Sequence, residues 1–410
     1  MSSRRQIRLL TAAAATIIAL IAAGLLPIPA ATALATARAD ATGTATAASY
    51  AAQRACAAPR PGTAACDALV RGTAGHRPIS YATPSGYGPS QLRSAYKLPS
   101  STAGGGQTVA IVDAYNDPNA ASDLNTYRST YGLPACYAST GCFRKVNQTG
   151  GTSYPSNNSG WALEESLDLD MVSAICPNCH IILVEASSAS FSNLGAAENE
   201  AVTLGAKEIS NSWGGSDAPD SIYGSYFNHS GIRITASSGD SGYGVEYPAS
   251  SHYVTAVGGT TLKSASNTRG WTETAWSGAG SGCSAYNTAL SAQANFNTGC
   301  SRRAVADVSA DANPNTGVAV YDSTPYNGVS GWFVVGGTSV SSPVIASVFA
   351  LAGNGSSITN NYPYNHYSSS TFYDITSGSN GTCSPGQLCT ARVGWDGPTG
   401  LGSPHGTGGF

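Results

Sequence analysis

The stretch from Ile181 to Trp213 reads IILVEASSASFSNLGAAENEAVTLGAKEISNSW, and it predicts a strand, a helix and a second strand in succession. The run from Ile181 to Glu185 is short, apolar and rich in branched side chains, as a buried strand is. Apolar residues then recur at helical spacing from Asn193 to Leu204, and a second strand is predicted from Glu208 to Trp213. Because two strands joined by a helix form a parallel pair, the stretch predicts a parallel sheet.

The same alternation of strands and helices continues on both sides of this stretch. Before it, the pattern predicts a strand at Thr108 to Val112 and a helix at Leu163 to Ile175. The later predicted elements are strands at Ile232 to Ala236, Val254 to Val257, Val318 to Tyr321 and Trp332 to Val335, and a helix at Pro343 to Leu351. We therefore predict an α/β fold with a doubly wound, largely parallel sheet and helices on both faces. Functional side chains of such sheets gather beyond the carboxyl ends of the strands.

The composition excludes one large class of function. Only 10% of the 410 residues are charged, and 20 Lys and Arg against 23 Asp and Glu give a net charge of −3. A basic nucleic-acid binder is excluded by this charge balance. A surface with so few ionisable groups also changes its charge little as the pH falls, which favours an acidic working environment.

The N-terminus has the pattern of an export sequence. Arg4, Arg5 and Arg8 precede an uncharged run from Leu9 to Leu26, and prolines and small residues suited to cleavage follow. This pattern predicts a signal peptide over residues 1–39. The alternative is a membrane anchor, because the run is just long enough to span a bilayer.

Cleavage of a signal peptide would give a secreted, extracellular protein that contacts no membrane. Residues 40–82 are rich in Ala, Thr, Pro and Gly and are too few for a core of their own, so we interpret them as a short pro-region or N-terminal extension. The main domain is predicted to cover residues 83–410.

The ten cysteines occur as close neighbours along the chain, and an even number in an oxidising compartment favours disulfide bonds. The adjacency predicts five local bridges, Cys56/Cys66, Cys136/Cys142, Cys176/Cys179, Cys283/Cys300 and Cys383/Cys389. One pair has an alternative interpretation, since Cys176, Cys179 and His180 also match the C-x-x-C-H pattern of covalent haem attachment.

A serine occupies a position suited to a nucleophile. Ser339 follows the strand predicted at Trp332 to Val335 and precedes Pro343, where the sequence predicts that a helix opens. Backbone N–H groups at a helix N-terminus could stabilise developing negative charge there, although a serine at this position can also simply cap the helix. None of the six histidines has the setting of a Ser-His-Asp triad, and His405 lies in a tail that we expect to be frayed.

Carboxylates offer a base in place of histidine. Glu164 and Asp168 are four residues apart in a predicted helix, so they project from one face and repel each other when both are ionised. A catalytic pair that shares a proton uses this repulsion, because one pKa rises. Glu165 and Asp170 point to other faces, where we expect them to be solvated or in structural contacts. The alternative, that Glu164 and Asp168 have a purely structural role on this helix, stays open.

A further acid follows the strand predicted at Ile232 to Ala236. Asp240 lies in the sequence Ser-Gly-Asp-Ser-Gly, which also suits an ordinary turn. At the carboxyl end of a strand, a protonated carboxyl group could donate a hydrogen bond to an oxyanion.

An ordered set of motifs resembles the sedolisin, or serine-carboxyl peptidase, family. The motifs are Glu164-x-x-x-Asp168, Ser210-Asn211-Ser212-Trp213-Gly214, Ser-Gly-Asp-Ser-Gly around Asp240, Tyr247-Pro248-Ala249-Ser250, Val257-Gly258-Gly259-Thr260, Ala306-Asp307-Val308-Ser309-Ala310 and Gly337-Thr338-Ser339-x-x-x-Pro343. The likeness runs from about Tyr87 to Pro404. Each motif alone is weak, and the order of the whole set is specific.

The resemblance implies a subtilisin-like fold and a secreted endopeptidase that acts at acidic pH. Ser339 would then be the nucleophile, Glu164 the general base, Asp168 its partner and Asp240 the donor in the oxyanion hole. The resemblance also implies that substrate binds along Ser212, Trp213 and Gly214. Such a carboxylate base suits a pH of about 3 to 5, since its ordinary pKa is about 4.3.

The resemblance further implies one structural calcium ion late in the chain. The matching positions are Asp374, Ile375, Arg392, Gly394 and Asp396, and Arg392 replaces a glycine that is usual in the family. Two carboxylates with backbone carbonyls suit this cation. The alternative is an Asp-rich turn that binds no metal.

Two points depart from the family. The roughly 45 residues between the signal peptide and the main domain are too few for the large pro-domain that is typical of it. Asp113 has no histidine partner, and we interpret it as structural. The expected partners are protein or peptide substrates, no nucleic acid is expected, and the enzyme is expected to be a monomer. The alternatives are a secreted binding protein that has lost catalysis and a subtilisin-like Ser-His-Asp hydrolase.

Overall fold

The computed structural model describes residues 50–410, so the predicted signal peptide, residues 1–39, lies outside the described residues. The strands are β1 (Ala51–Arg54), β2 (Ala65–Cys66), β3 (Leu69–Gly72), β4 (Thr108–Ala114), β5 (Phe143–Asn147), β6 (His180–Ala186), β7 (Glu208–Asn211), β8 (Trp213–Ser216), β9 (Arg233–Ser237), β10 (Glu246–Tyr247), β11 (Thr255–Ser264), β12 (Trp271–Ala275), β13 (Gly282–Cys283), β14 (Ala304–Val305), β15 (Val308–Asp311), β16 (Val318–Tyr326), β17 (Val329–Gly336), β18 (Phe372–Tyr373) and β19 (Ser403–Pro404). The helices are α1 (Pro89–Tyr96), α2 (Ala120–Thr130), α3 (Ser159–Ile175), α4 (Phe191–Thr203), α5 (Asp220–Tyr223), α6 (Thr338–Ala352) and α7 (Tyr362–Asn365).

A parallel sheet in the strand order β9-β7-β4-β6-β5 forms the centre of the fold. The long strand β11 extends it beside β9, with β15 parallel to β11 and β12 antiparallel at the edge. Residues Val109–Val112 of β4 are buried, as a strand covered on both faces requires. The predicted α/β class with a largely parallel, subtilisin-like sheet is confirmed.

Helices α3 and α6 pack against each other, and both contact the central sheet. Helix α3 begins four residues before the predicted start at Leu163, because the side chain of Asn158 caps it. The Asn158 Oδ1 accepts hydrogen bonds from the backbone N–H groups of Gly160 and Trp161, at 3.0 and 3.2 Å. Nearly every residue of α3 is buried, since α2, α6, β4 and β16 surround it.

The strands near residues 318 and 332 do not join the parallel sheet. They form the antiparallel hairpin β16–β17, which belongs to a separate sheet of order β1-β3-β17-β16. Asn327 and Gly328 connect the two strands with φ values of 49° and 83°. A two-residue Asn-Gly turn with positive φ favours a hairpin, and a hairpin excludes the crossover that parallel neighbours need.

Residues from Ala51 to Gly72 contribute strands to the same compact unit as the rest of the described chain. Strand β3 pairs with β1 and β17, and β2 pairs with β8. Val70 is buried in the main core. This part of the predicted pro-region or extension therefore shares the core of the main domain.

All five predicted disulfide pairings are present, Cys56–Cys66, Cys136–Cys142, Cys176–Cys179, Cys283–Cys300 and Cys383–Cys389. The haem interpretation of Cys176 and Cys179 is therefore wrong, because both sulfur atoms are used in a bridge. Among the described residues, no helix is long and apolar enough to cross a membrane.

The C-terminal tail is ordered, contrary to the expectation that it is frayed. Phe410 is fully buried, and its ring packs against Phe349 of α6 and Phe372 of β18. His405 stacks on Tyr373 at a centroid distance of 4.3 Å. The apolar last residue explains the order, since its burial anchors the end of the chain.

Candidate active site

The carboxyl ends of three neighbouring parallel strands define the site. Strand β4 ends just after Asp113, Ser212 follows β7, and the loop with Asp240 follows β9. Because β9, β7 and β4 are adjacent in the sheet, these loops meet at one edge. Helix α6 begins at the same edge and adds Ser339.

Ser339 lies in the first turn of α6, because the helix opens at Thr338 and not at Pro343 as predicted. Pro343 is inside the helix, where it has no N–H to donate to the Ser339 carbonyl oxygen, and that oxygen accepts from the Ser212 hydroxyl at 3.3 Å instead. Gly337 precedes the helix with a φ of 96°, and a Cβ there would overlap the Asp67 carbonyl oxygen. The glycine therefore allows another backbone to approach the start of the helix closely. The Ser339 hydroxyl donates to the Ser212 carbonyl oxygen at 3.1 Å.

Glu164 and Asp168 are both completely buried on α3, beside the start of α6. The Ser212 hydroxyl donates to Asp168 Oδ1 at 2.8 Å, whereas neither Glu164 oxygen has a hydrogen-bond partner among the described residues. Burial first, and then the charge of Asp168, raises the pKa of Glu164 well above its usual value, while the nearby Ser339 hydroxyl acts in the opposite direction. Burial also raises the pKa of Asp168. The pair is thus prepared to hold a proton.

Asp113, which lacks a histidine partner and was expected to be structural, belongs to the same cluster. It is fully buried, and burial followed by the charges of Asp168 and Glu185 raises its pKa well above the usual value. Its charge in turn raises the pKa of Glu164. Asp113 lies on β4, whereas Glu164 and Asp168 lie on α3, and only the packing of α3 on the sheet brings the three carboxyl groups together. The contact therefore could not be predicted from spacing along the chain.

Glu165 and Asp170 are also buried, so the expectation that they could be solvated is wrong. Asp170 Oδ2 accepts a hydrogen bond from the Tyr321 backbone N–H at 2.9 Å, which fixes α3 to β16. Glu165 lies beside Glu185 and Asp117, whose charges add to burial in raising its pKa. The structural-contact alternative therefore describes Asp170, whereas neither carboxylate oxygen of Glu165 has a hydrogen-bond partner among the described residues.

The Asp240 carboxyl group has one bound oxygen and one free oxygen. Its Oδ1 accepts from the Thr338 backbone N–H at 2.7 Å and from the Thr338 hydroxyl at 2.9 Å. Its Oδ2 is buried and has no partner among the described residues. Burial, and next the charge of Asp67, raises the pKa of Asp240 well above the usual value. A protonated Oδ2 beside Ser339 could donate to an oxyanion.

Ser212 lies between β7 and β8, and Trp213 and Gly214 form the start of β8 along the same edge. The Trp213 side chain is buried and donates from Nε1 to the Val112 carbonyl oxygen at 2.8 Å, so only its backbone faces the cleft. The backbone of the Ala65–Cys66 strand lies against this segment. Ser339 is fully buried, and its backbone N–H donates at 3.2 Å to the carbonyl oxygen of Asp67, the residue that follows this strand.

None of the six histidines, all of which lie within residues 50–410, hydrogen-bonds to Ser339 or to the carboxyl cluster. His180 begins β6 and so lies at the opposite edge of the sheet. His229 Nε2 and His366 Nδ1 contact backbone carbonyl oxygens of residues close in the chain. A Ser-His-Asp arrangement is therefore absent from the described part of the chain.

The predicted calcium ligands lie close together. The Gly394 backbone N–H donates to Asp374 Oδ2 at 2.9 Å, and the Arg392 backbone N–H donates to Asp396 Oδ2 at 3.1 Å. Burial raises the pKa of Asp396 to about 7, and the charge of Asp374 adds to the effect. Within residues 50–410, no cluster of three or more Asp, Glu, His or Cys side chains suits a metal, so backbone oxygens would have to complete this site.

The donor set at this position fits a hard cation. Asp374 Oδ1 is buried and has no hydrogen-bond partner among the described residues. The carbonyl oxygens of Ile375, Arg392 and Gly394 accept none of the hydrogen bonds found within residues 50–410. The Arg392 guanidinium turns away to donate from Nε to the Trp395 carbonyl oxygen at 3.2 Å. Carboxylate and carbonyl oxygens are the ligands that calcium prefers.

Three curated relatives are similar along most of the chain, and no protein-family model matches it. Kumamolisin from Bacillus sp. (strain MN-32) is 30% identical over 364 residues, which cover 79% of this chain and 63% of kumamolisin. Sedolisin from Pseudomonas sp. (strain 101) is 28% identical over 370 residues, which cover 79% of this chain and 61% of sedolisin. The chain thus spans about three-fifths of the length of these relatives.

The solved structures give the same result. Pseudomonas sedolisin, a serine-carboxyl proteinase complexed with two molecules of pseudo-iodotyrostatin, superposes with a TM-score of 0.65 at 27% identity, covering 79% of this chain and 96% of that one. Sphericase shares the fold with a TM-score of 0.51 at 19% identity, covering 79% and 98% of the two chains. Together with the ordered motifs, these findings show that about four-fifths of the chain is similar to enzymes of the sedolisin, or serine-carboxyl peptidase, family.

Proposed function

We propose that the protein is a serine-carboxyl endopeptidase that hydrolyses peptide bonds at acidic pH. The observation that carries the proposal is the burial of Ser339, Glu164, Asp168 and Asp240 around the start of α6, with no histidine beside them. The similarity to kumamolisin and sedolisin supports the reaction class. In this proposal Ser339 is the nucleophile and Glu164 is its base.

The proposed reaction starts when the Ser339 hydroxyl turns from the Ser212 carbonyl oxygen to Glu164. Glu164 then accepts the hydroxyl proton as Ser339 Oγ attacks the peptide carbonyl carbon, and later gives the proton to the leaving amine. Asp168 holds the proton that the pair shares, and the Ser212 hydroxyl fixes the orientation of Asp168 through their 2.8 Å hydrogen bond. A water molecule releases the acyl group by the same steps in reverse.

Asp240 is the proposed donor to the oxyanion, together with the Ser339 backbone N–H. Thr338 supports it, because two hydrogen bonds to Oδ1 leave the proton on Oδ2. A preorganised donor of this kind contributes on the order of 10²- to 10³-fold to the rate. The raised pKa of Asp240 keeps it protonated at acidic pH.

We further propose that the enzyme is secreted as a monomer and binds one structural calcium ion through Asp374, Asp396 and the carbonyl oxygens of Ile375, Arg392 and Gly394. The five disulfide bonds support export to an oxidising compartment. Calcium would contribute stability to the C-terminal segment, since it binds only the folded arrangement of these residues.

The direct test removes the nucleophile or the base. We expect Ser339→Ala and Glu164→Gln each to lower kcat/KM for casein by at least about 10⁴-fold at the pH of maximum activity, because the proposed groups act as one unit. Ser347→Ala, on the same helix, and Glu198→Gln, another buried carboxyl group, are matched controls. Near-normal turnover in either test variant, with an unchanged melting temperature, would make the proposed mechanism wrong.

A further inference from the structure

The segment from Ala64 to Leu69 lies in the candidate active site in the position of a bound peptide. Strand β2 pairs antiparallel with β8, with Ala65 opposite Gly214 and Cys66 opposite Trp213. Strand β8 contains Trp213 and Gly214, which the family resemblance assigns to substrate binding. An extended peptide that adds a strand to an exposed edge is a common mode of recognition.

The next residue, Asp67, places its backbone at the candidate nucleophile. Its N–H donates to the Ser212 carbonyl oxygen at 3.1 Å, which continues the pairing with β8. Its carbonyl oxygen accepts from the Ser339 backbone N–H at 3.2 Å. Asp240 lies on the same side, because a Cβ at Gly337 would overlap both the Asp67 carbonyl oxygen and Asp240 Oδ2. The Asp67 carbonyl therefore occupies the place where an oxyanion would form.

The chain beyond this carbonyl is held as well. Leu69 pairs with Gly336 and Val70 with Val335, so β3 lies against the strand that leads into Ser339. Ala68 is completely buried between the two paired segments. The backbone is thus fixed on both sides of the peptide bond between Asp67 and Ala68.

The Asp67 side chain occupies a polar pocket. The Ser237 hydroxyl donates to Asp67 Oδ2 at 2.7 Å, and the carboxyl groups of Asp240 and Glu246 are close enough to influence one another. Burial raises the pKa of Asp67 to about 7, partly offset by the Ser237 hydrogen bond and the charge of Arg54. A neutral Asp67 therefore fits the pocket under acidic conditions.

We propose that the bond between Asp67 and Ala68 is a peptide bond that this enzyme cleaves in its own chain. The inference rests on the proposed function and adds the position of the cut and a substrate class, peptides with small residues before an aspartic acid and a small residue after it. Until the cut is made, residues 64–69 block the site for other substrates.

The chemistry is the proposed peptidase reaction with water as the second reactant. Ser339 Oγ bonds to the Asp67 carbonyl carbon and loses its proton to Glu164, the bond to the Ala68 nitrogen breaks, and that nitrogen takes the proton. Water then attacks the Asp67 ester, Glu164 accepts a proton from it, and Ser339 leaves with a proton. The products are a carboxyl group on Asp67 and a free amine on Ala68.

The cut would free the segment that covers the site. The Cys56–Cys66 bridge joins two residues on the same side of the cut, so no disulfide bond within residues 50–410 links this segment to the rest. Only the pairing of β1 with β3 and of β2 with β8, together with side-chain and loop contacts, would still hold it.

The test follows the new N-terminus. The secreted full chain is purified at about pH 7.5 and shifted to several values between about pH 4 and pH 6, the acidic range in which the proposed base and acid are expected to act together. The products are identified by mass spectrometry and N-terminal sequencing. We expect a chain that starts at Ala68 from the wild type and none from Ser339→Ala. Asp67→Asn should keep most of the cleavage. Asp67→Lys should slow it at least about tenfold, because the pocket buries the ammonium group and the raised pKa values of Asp240 and Glu246 leave these neighbours without charge under acidic conditions.

A synthetic peptide makes the result independent of the folding of these variants. It has the sequence of residues 64–70 with serine in place of Cys66, and a second peptide carries lysine in place of Asp67. We expect the wild type to cut the first peptide after Asp and to leave the second peptide uncut.

If casein is digested while Ala68 never appears as an N-terminus, the inference is wrong and the peptidase proposal stands. If neither casein nor either peptide is cut, the proposed function itself is wrong. An Ala68 terminus in Ser339→Ala would mean that another protease makes the cut, which also overturns the inference.

Discussion

A single free oxygen on Asp240 makes the role of this residue testable. Asn in its place keeps an acceptor for Thr338 and supplies an N–H donor that has no proton to lose. We expect the alkaline limb of kcat/KM for Asp240→Asn to move to higher pH. The maximum rate should fall by less than the roughly 10²- to 10³-fold that the loss of such a donor costs.

The control for this prediction is Asp217→Asn, because Asp217 binds Ser250 and Ser284 away from Ser339. Its pH profile should match that of the wild type. An alkaline limb that stays in place in Asp240→Asn would show that a different group titrates there.

Single residues could be predicted where the chemistry depends on local spacing. The Glu164/Asp168 pair follows from helical periodicity, and the structure has both on one buried helix. Asp113 could not be recognised, since the groups that raise its pKa come from α3 and β6. The burial of Glu165 and Asp170 escaped prediction for the same reason: contacts on every side of α3 are made by elements distant in the chain.

The start of α6 is the element on which the site depends most. Gly337→Ala would force a side chain into the Asp67 carbonyl oxygen and the Asp240 carboxyl group at a φ of 96°. We expect kcat/KM to fall on the order of 100-fold, as a displacement of about 1 Å in an active site costs this much. Steady-state kinetics at acidic pH and the melting temperature together measure the effect.

The matched control is Gly353→Ala at the other end of the same helix, where φ is 70° and the nearest neighbour is the Gln107 side chain. It should cost stability, on the order of 1 kcal/mol, and leave kcat/KM close to that of the wild type. Equal losses of activity in the two variants would contradict a special role for Gly337.

Elements were predictable where hydrophobic runs were long and buried. The strands at residues 108, 181, 208 and 232 were found at nearly their observed positions. The hydrophobic runs alone do not distinguish the hairpin β16–β17 from two parallel strands, and the Asn327-Gly328 turn is the local signal that does. Strands β1 to β3 were not predicted, since each has only two to four residues and exists through pairing with distant strands.

At the scale of the whole molecule, calcium should connect stability and activity. We expect an excess of chelator to lower the melting temperature and the activity together, because a ligand that binds only the folded state stabilises it. Bound calcium should raise the free energy of unfolding by about 2.7 kcal/mol at a free calcium concentration 100-fold above Kd. Calorimetry with and without chelator, and metal analysis of the purified protein, measure this.

Asp396→Asn is the matched variant for this prediction, and chelator should change its melting temperature much less than that of the wild type. An unchanged melting temperature of the wild type in excess chelator, with no calcium in the purified protein, would remove the ion from the account.

If carboxyl groups activate Ser339 without a histidine, the pH profile of kcat/KM must show two carboxyl titrations. Activity needs the Glu164/Asp168 pair to have lost one proton while Asp240 keeps its own. Burial raises the pKa of all three groups, so both limbs move upward from the ordinary carboxyl range of about 4. Below the acid limb the pair is fully protonated, and above the alkaline limb Asp240 has lost its proton.

For the wild type acting on a soluble peptide, we predict a bell-shaped profile with its maximum on the acid side of about pH 6 and little activity at about pH 8. Activity that rises through about pH 6.5 and persists above it would contradict the account, because a histidine base gives that profile.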